Sequence, residues 1–380
     1  MLAALVVLAS ATTLYTNTES VTAVREHDGA IWVTTSGGLE RYDATTLART
    51  AVTAAAPTAP SPPSVSPRYQ GARETVRVTT SAGVVVGTAG AGVWIDGPTP
   101  RRLTPTGQIC GNHVVALVEW KGTTWAATFD RGVCWLDGDR WVTPTTDFRM
   151  TNDLIVTPHG LVVAASEGLF VSADGVDFAR WAGVDGTGFN DLALDGDVLY
   201  ATIPGALWRV PLARKAGKKP TARWVPGGSH AMQAVTVGAG AVWVTSEDRG
   251  VLRLDRDRKK RDVVVHDRVA GLPTSWHIDV AVAGGTTWVA TLRHGLLARD
   301  RGGAWTRVAG LEDTWLLFVG ADASGRGVWV GAQGGLYHVD ARGTVTDESA
   351  ILPETTVHVV ADRGAELWVG TEGGLVRVRR

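Results

Sequence analysis

The sequence has only two cysteines, three methionines and a formal net charge of -1 over 380 residues. Two thiols are too few for a disulfide-built scaffold or a thiolate zinc site. Near-neutral charge argues against a nucleic-acid groove as the main purpose. Long hydrophobic runs are missing too. The apolar start, Met1 to Ala11, is too short to cross a bilayer. No segment carries apolar residues at i, i+3, i+4 and i+7, which excludes helical repeats. There is no nucleophile elbow, no phosphate loop and no closely spaced ligand motif. No catalytic residue, no metal ligand and no cofactor is therefore assigned from sequence.

What is present is one pattern, repeated. Its clearest copy is Leu367-Trp368-Val369-Gly370-Thr371-Glu372-Gly373-Gly374-Leu375. Further copies align on Trp32, Trp125, Trp243, Trp288 and Trp329, and on Val85, Val162 and Tyr200, where the tryptophan is replaced. The nine anchors are 37 to 53 residues apart. Each copy reads as short, β-branched, alternating segments bounded by Gly and Asp, which is the strand signature. Four short strands per 40 or so residues is the size of a propeller blade.

The expected fold is an all-β, closed β-propeller of about nine four-stranded blades, with eight as the alternative. The ninth unit stops at Arg380 after three strands. The spare segment Thr13 to Asn17 is expected to supply the fourth, since completing that blade hides an edge and fastens the ends together. Residues 12–380 form one domain on this reading. Residues 1–11 read as a truncated signal peptide lacking a positive n-region, or as a strand extension. Residues 51–68 are rich in Ala, Pro, Ser and Thr and read as a flexible insertion. Most of the 16 tryptophans fall on the anchor or fourth strand, where core packing explains them.

In such a fold the loops entering each inner strand and those between the second and third strands share one face, around the channel. These loops differ between copies, and blade-specific loops on a repeated scaffold are how repeat proteins acquire function. The candidate ligand or partner residues are His113, Asp130, Arg131, Asn152, Asn190, His230, Glu247, Arg249, Trp276, His277, Arg293, His294, Trp315, His358 and Glu372. For any one of them a solvated turn role is the plainer reading. On the opposite face, Lys215, Lys218, Lys219, Arg258, Lys259 and Lys260 offer contact with an anionic surface, or simply a solvated charge run. Cys110 and Cys134 fall in one unit, as a disulfide or as two buried thiols.

The Trp-Val-Gly-Thr-x-x-Gly-Gly-Leu pattern resembles the two-component-regulator propeller repeat, most closely at Trp368 to Leu375, Trp329 to Asp340 and Trp32 to Asp43. The resemblance covers nearly the whole chain. It implies a propeller from the extracytoplasmic part of a bacterial sensor and carries no fixed catalytic residues. The expected function is therefore non-catalytic binding of a small molecule, glycan or protein, in the periplasm or outside the cell, with the cytoplasm as the alternative. Two other readings stay open. One is a propeller lyase or hydrolase with a metal at the channel mouth, where His113, His230, His277 and Asn190 would converge. The other is an interaction scaffold.

Overall fold

The structure is a computed structural model that describes residues 12–53, 72–212, 221–224, 231–255, 263–267, 272–274, 276–353 and 355–380. Residues 1–11, most of the insertion at 51–68, His230 and the basic positions Lys215, Lys218, Lys219, Arg258, Lys259 and Lys260 lie outside the described residues. The described residues form nine four-stranded antiparallel sheets and contain no α-helix.

The nine repeats read in the sequence are these nine sheets. Their inner strands are Val21–His27, Arg73–Thr80, Val114–Trp120, Thr151–Thr157, Leu192–Asp195, Met232–Gly238, His277–Ala283, Leu316–Ala321 and Val357–Asp362, which number sheets 1 to 9. Sheet 9 takes its fourth strand from the N-terminal segment Thr12–Tyr15, paired antiparallel to Leu375–Arg379. Tyr15 stacks on Trp368 at 6.0 Å and meets the edge of Trp141 at 5.6 Å, so the added strand is also packed.

The motif threonine has a specific task. Thr35, Thr128, Thr291 and Thr371 end their second strands and Thr88 is the last residue but one of its own, and each hydroxyl donates to a glycine carbonyl across the turn, at 2.7–3.1 Å. This side-chain bond closes the turn that the glycines permit. At Gly374, with φ +139°, a Cβ would stand 2.4 Å from the Tyr15 carbonyl oxygen, so the glycine also admits the N-terminal strand.

The core is divided between neighbouring sheets. Separate apolar clusters join sheets 3 and 4, 4 and 5, 5 and 6, 6 and 7, 7 and 8, and 8 and 9. A further cluster joins sheet 9 back to sheet 3, through Val359, Trp368 and Leu375 against Val114, Ala126 and Trp141. The ring thus closes through seven sheets. Sheets 1 and 2 pack on each other around Ile31, Val33, Val85 and Val93, beside the ring. Because all nine units carry the same motif, periodicity counts the sheets without showing which neighbours meet.

Sheets 1 and 2 are tied to the ring at the segment following Tyr15. The Asn17 amide nitrogen donates to the carbonyls of Ile109 and Cys110, and its backbone bonds with Asn112 in both directions. Thr18 donates to Glu40, a fully buried carboxylate that also accepts from Tyr42 and pairs with Arg49 at 3.0 Å. Cys110 and Cys134 are disulfide-bonded at this same junction.

Candidate functional site

The inner strands of sheets 3 to 9 line a central cavity of about 420 Å³. A β-bulge interrupts the first residues of most of these strands, for example between Thr151 and Asp153, His277 and Asp279, and Val357 and Val359. A bulge re-aims side chains. Here it lets consecutive residues such as Asn152 and Asp153 both face the cavity.

Three carboxylates stand in that wall: Asp153, Asp191 and Asp279. Each accepts a hydrogen bond from the backbone of the next sheet, from Leu192 N at 3.0 Å, Val235 N at 2.6 Å and Val319 N at 2.8 Å respectively. Burial pushes Asp153 up to about 6 and Asp279 up to about 7. Asp191 is held well above the usual carboxylate range by burial and then by the neighbouring charges of Asp153 and Asp279. Near neutral pH the wall therefore holds protons that ordinary aspartates would release.

Asn152 and Asn190, candidates for ligand contact, are engaged in the same seams. Their amide nitrogens donate to the carbonyls of Phe189 at 2.7 Å and Met232 at 2.6 Å. Each Asn-Asp pair thus clips one sheet to the next, Asn on a carbonyl and Asp on an amide. The repeated Asn-Asp at two strand entries was the available sequence signal for Asp153 and Asp191. Asp279, after an isoleucine, gave none.

The remaining candidates separate into groups. Trp276 and Trp315 are exposed at 47% and 36%, and the Arg293 guanidinium lies 4.6 Å from the Trp315 ring. Exposed Phe129 and Met150 stand in loops of this same face. Glu247 accepts from the Gln233 amide at 2.9 Å. Asp130 sits 3.7 Å from Arg131, which reaches away from the mouth to the Ser20 hydroxyl at 3.1 Å. The backbone amides of Arg249 and His294 donate to the hydroxyls of Ser246 and Thr291, which fixes their turns. His277 is fully buried at the start of its strand, so it does not stand on the exposed rim.

His113, His358 and Glu372 do converge. Their donor atoms lie within 4.8 Å of one another. The two imidazoles are 4.3 Å apart, Phe129 covers His113 at 5.2 Å, and His358 Nε2 is 3.5 Å from Glu372 Oε1. Burial, followed by the neighbouring His113, lowers His358 to about 3. A second cavity of about 490 Å³ lies between sheets 8 and 9. Its polar groups already pair with one another, His338 with Asp322 at 3.1 Å and Trp329 Nε1 with Asp362 at 2.8 Å.

No family model and no curated protein matches the chain. Solved structures do. PorZ, a surface component of the type-IX secretion system of Porphyromonas gingivalis, aligns with TM-score 0.62 and 14% identity over 95% of this chain and 62% of its own. The extracellular domain of a protein classed as a hybrid two-component system, BT3049 of B. thetaiotaomicron, gives TM-score 0.60 and 15% identity over 94% of this chain and 56% of its own. A catalytically inactive virginiamycin B lyase from Staphylococcus aureus, determined with quinupristin, gives TM-score 0.57 and 12% identity over 70% of this chain and 95% of its own. The chain therefore spans somewhat over half the length of the first two. At these identities the likeness is one of fold: this chain has a β-propeller fold, as do these three structures.

Proposed function

We propose that this chain is a non-catalytic recognition module of the exported sensor type, binding a small molecule, glycan or protein on the face at the channel mouth. One observation carries the reading. Of the seven large apolar side chains exposed among the described residues, four (Phe129, Met150, Trp276 and Trp315) stand in the loops of that face. Exposed aromatics beside polar groups and an arginine are the anchors of recognition surfaces. The Arg293–Trp315 stack offers a flat face and a charge together. The Cys110–Cys134 bond supports export, since disulfides persist in oxidising compartments.

A panel of glycans, peptides and small molecules, screened by tryptophan fluorescence and thermal shift, tests this. Any binder found should lose at least about tenfold in affinity, the equivalent of ~1.4 kcal/mol, in the triple variant Trp276→Ala, Arg293→Ala, Trp315→Ala. Binding unchanged in that variant would place recognition on the blade sides or the opposite face.

A further inference from the structure

We propose that His113, His358 and Glu372 bind a transition-metal ion, Zn²⁺ by their chemistry, at the seam where the ring closes. The three residues come from different segments. His113 precedes the inner strand of sheet 3, His358 is the bulged residue in the inner strand of sheet 9, and Glu372 lies in the turn after the second strand of sheet 9. His113 and His358 are 245 residues apart (358 − 113), so no ligand spacing exists to be read in the sequence. Ring closure alone brings them together.

The geometry fits an ion. Two ligands each about 2.0–2.2 Å from a tetrahedral Zn²⁺ lie roughly 3.4 Å from each other. His358 Nε2 and Glu372 Oε1 already stand 3.5 Å apart, and all three donors lie within 4.8 Å of one another. That nitrogen is cut off from solvent and has no hydrogen-bond partner. A separation of 3.5 Å is too long for a good hydrogen bond, and a cation between the two atoms would satisfy both. Two imidazoles and one carboxylate suit Zn²⁺ and its transition-metal neighbours, whereas Mg²⁺ and Ca²⁺ prefer all-oxygen sites.

Three protein ligands leave a fourth position open. Glu372 is 40% exposed, so that position opens on the solvent side, on the face that carries Trp315 and Phe129. The ion would also cross-link sheet 3 to sheet 9. This proposal stands apart from the reading of the face as a recognition surface, because it needs no ligand other than the metal.

The test uses the full chain, stripped with a chelator. Calorimetric titration with ZnCl₂ should give one equivalent bound and a raised melting temperature, and Co²⁺ should give the visible absorption of a tetrahedral site. Removing outer-shell partners alone costs roughly 10- to 100-fold in metal affinity. His113→Ala and Glu372→Gln, which remove ligands, should each cost about 100-fold or more. His27→Ala, an exposed histidine on sheet 1, should leave binding intact. Glu372 is accessible enough for the glutamine variant to fold, so it decides the matter if His113→Ala does not fold. Sub-stoichiometric binding, or full binding in Glu372→Gln, overturns the proposal.

Discussion

Replacing Asp279 by Asn asks whether the protonated channel wall limits stability at neutral pH. Asp279 is fully enclosed, accepts from Val319 N and Val280 N, and is raised by burial from 3.8 to about 7. A carboxyl raised in this way binds more protons in the folded chain than in the unfolded one. Its contribution to stability is complete below the unfolded value and is lost as pH climbs through about 7. At about 1.4 kcal/mol per pH unit the loss approaches ~4 kcal/mol, an upper bound because Asp153 titrates alongside it. Asparagine cannot ionise, but its single oxygen can accept from only one of the two amides, since Val319 N and Val280 N bond to different oxygens of Asp279. His358, held neutral, pulls the other way over part of this range, losing stability as pH falls below its unfolded value. Comparing variant with parent cancels that term. Urea unfolding in the presence of a chelator at about pH 4.5, 6 and 8 should show Asp279→Asn less stable than the parent by about 1–3 kcal/mol at the acid end, the cost of the amide left without an acceptor. Relative to the parent it should then gain about 2–4 kcal/mol between the acid and the alkaline end. A difference that stays constant across pH would refute the argument.

Two further outcomes follow from the junction of sheets 9 and 3. Removing the Cys110–Cys134 bond with a double serine substitution should lower unfolding stability by about 3–4 kcal/mol, since the bond closes a segment with a sequence separation of 24, and denaturant unfolding in non-reducing buffer measures it. Tyr15→Ala should cost about 3–4 kcal/mol by the same measurement, because the ring packs on both Trp368 and Trp141; a loss under ~1 kcal/mol would mean that strand pairing alone holds the N-terminal segment.

The scaffold was legible in the sequence because it repeats. Nine copies of one strand pattern became nine sheets, and the ninth, read with three strands of its own, takes its fourth from the N-terminal segment. The site was less legible for a physical reason. A side chain on a propeller face has its nearest partners on neighbouring sheets, tens or hundreds of residues away. Asn152 and Asn190 read as free polar rim residues, yet their amides are spent on carbonyls of the next sheet. Asp153, Asp191 and Asp279 are ordinary aspartates until the ring encloses them. His113, His358 and Glu372 were each visible as candidates, and only the closed ring makes them a set.

The strand Thr12–Tyr15 is made roughly 360 residues before its partner Leu375–Arg379. At a synthesis rate of about 5–20 residues per second, that is a wait of some 20–70 s. Throughout it, Tyr15 has no Trp368 to stack on, and sheet 3 presents an uncovered apolar flank. A ring fastened in this way cannot fold strictly in order from its first strand to its last. Its final act must be the capture of the earliest strand by the newest, which makes the vulnerable interval as long as the synthesis of the ring itself.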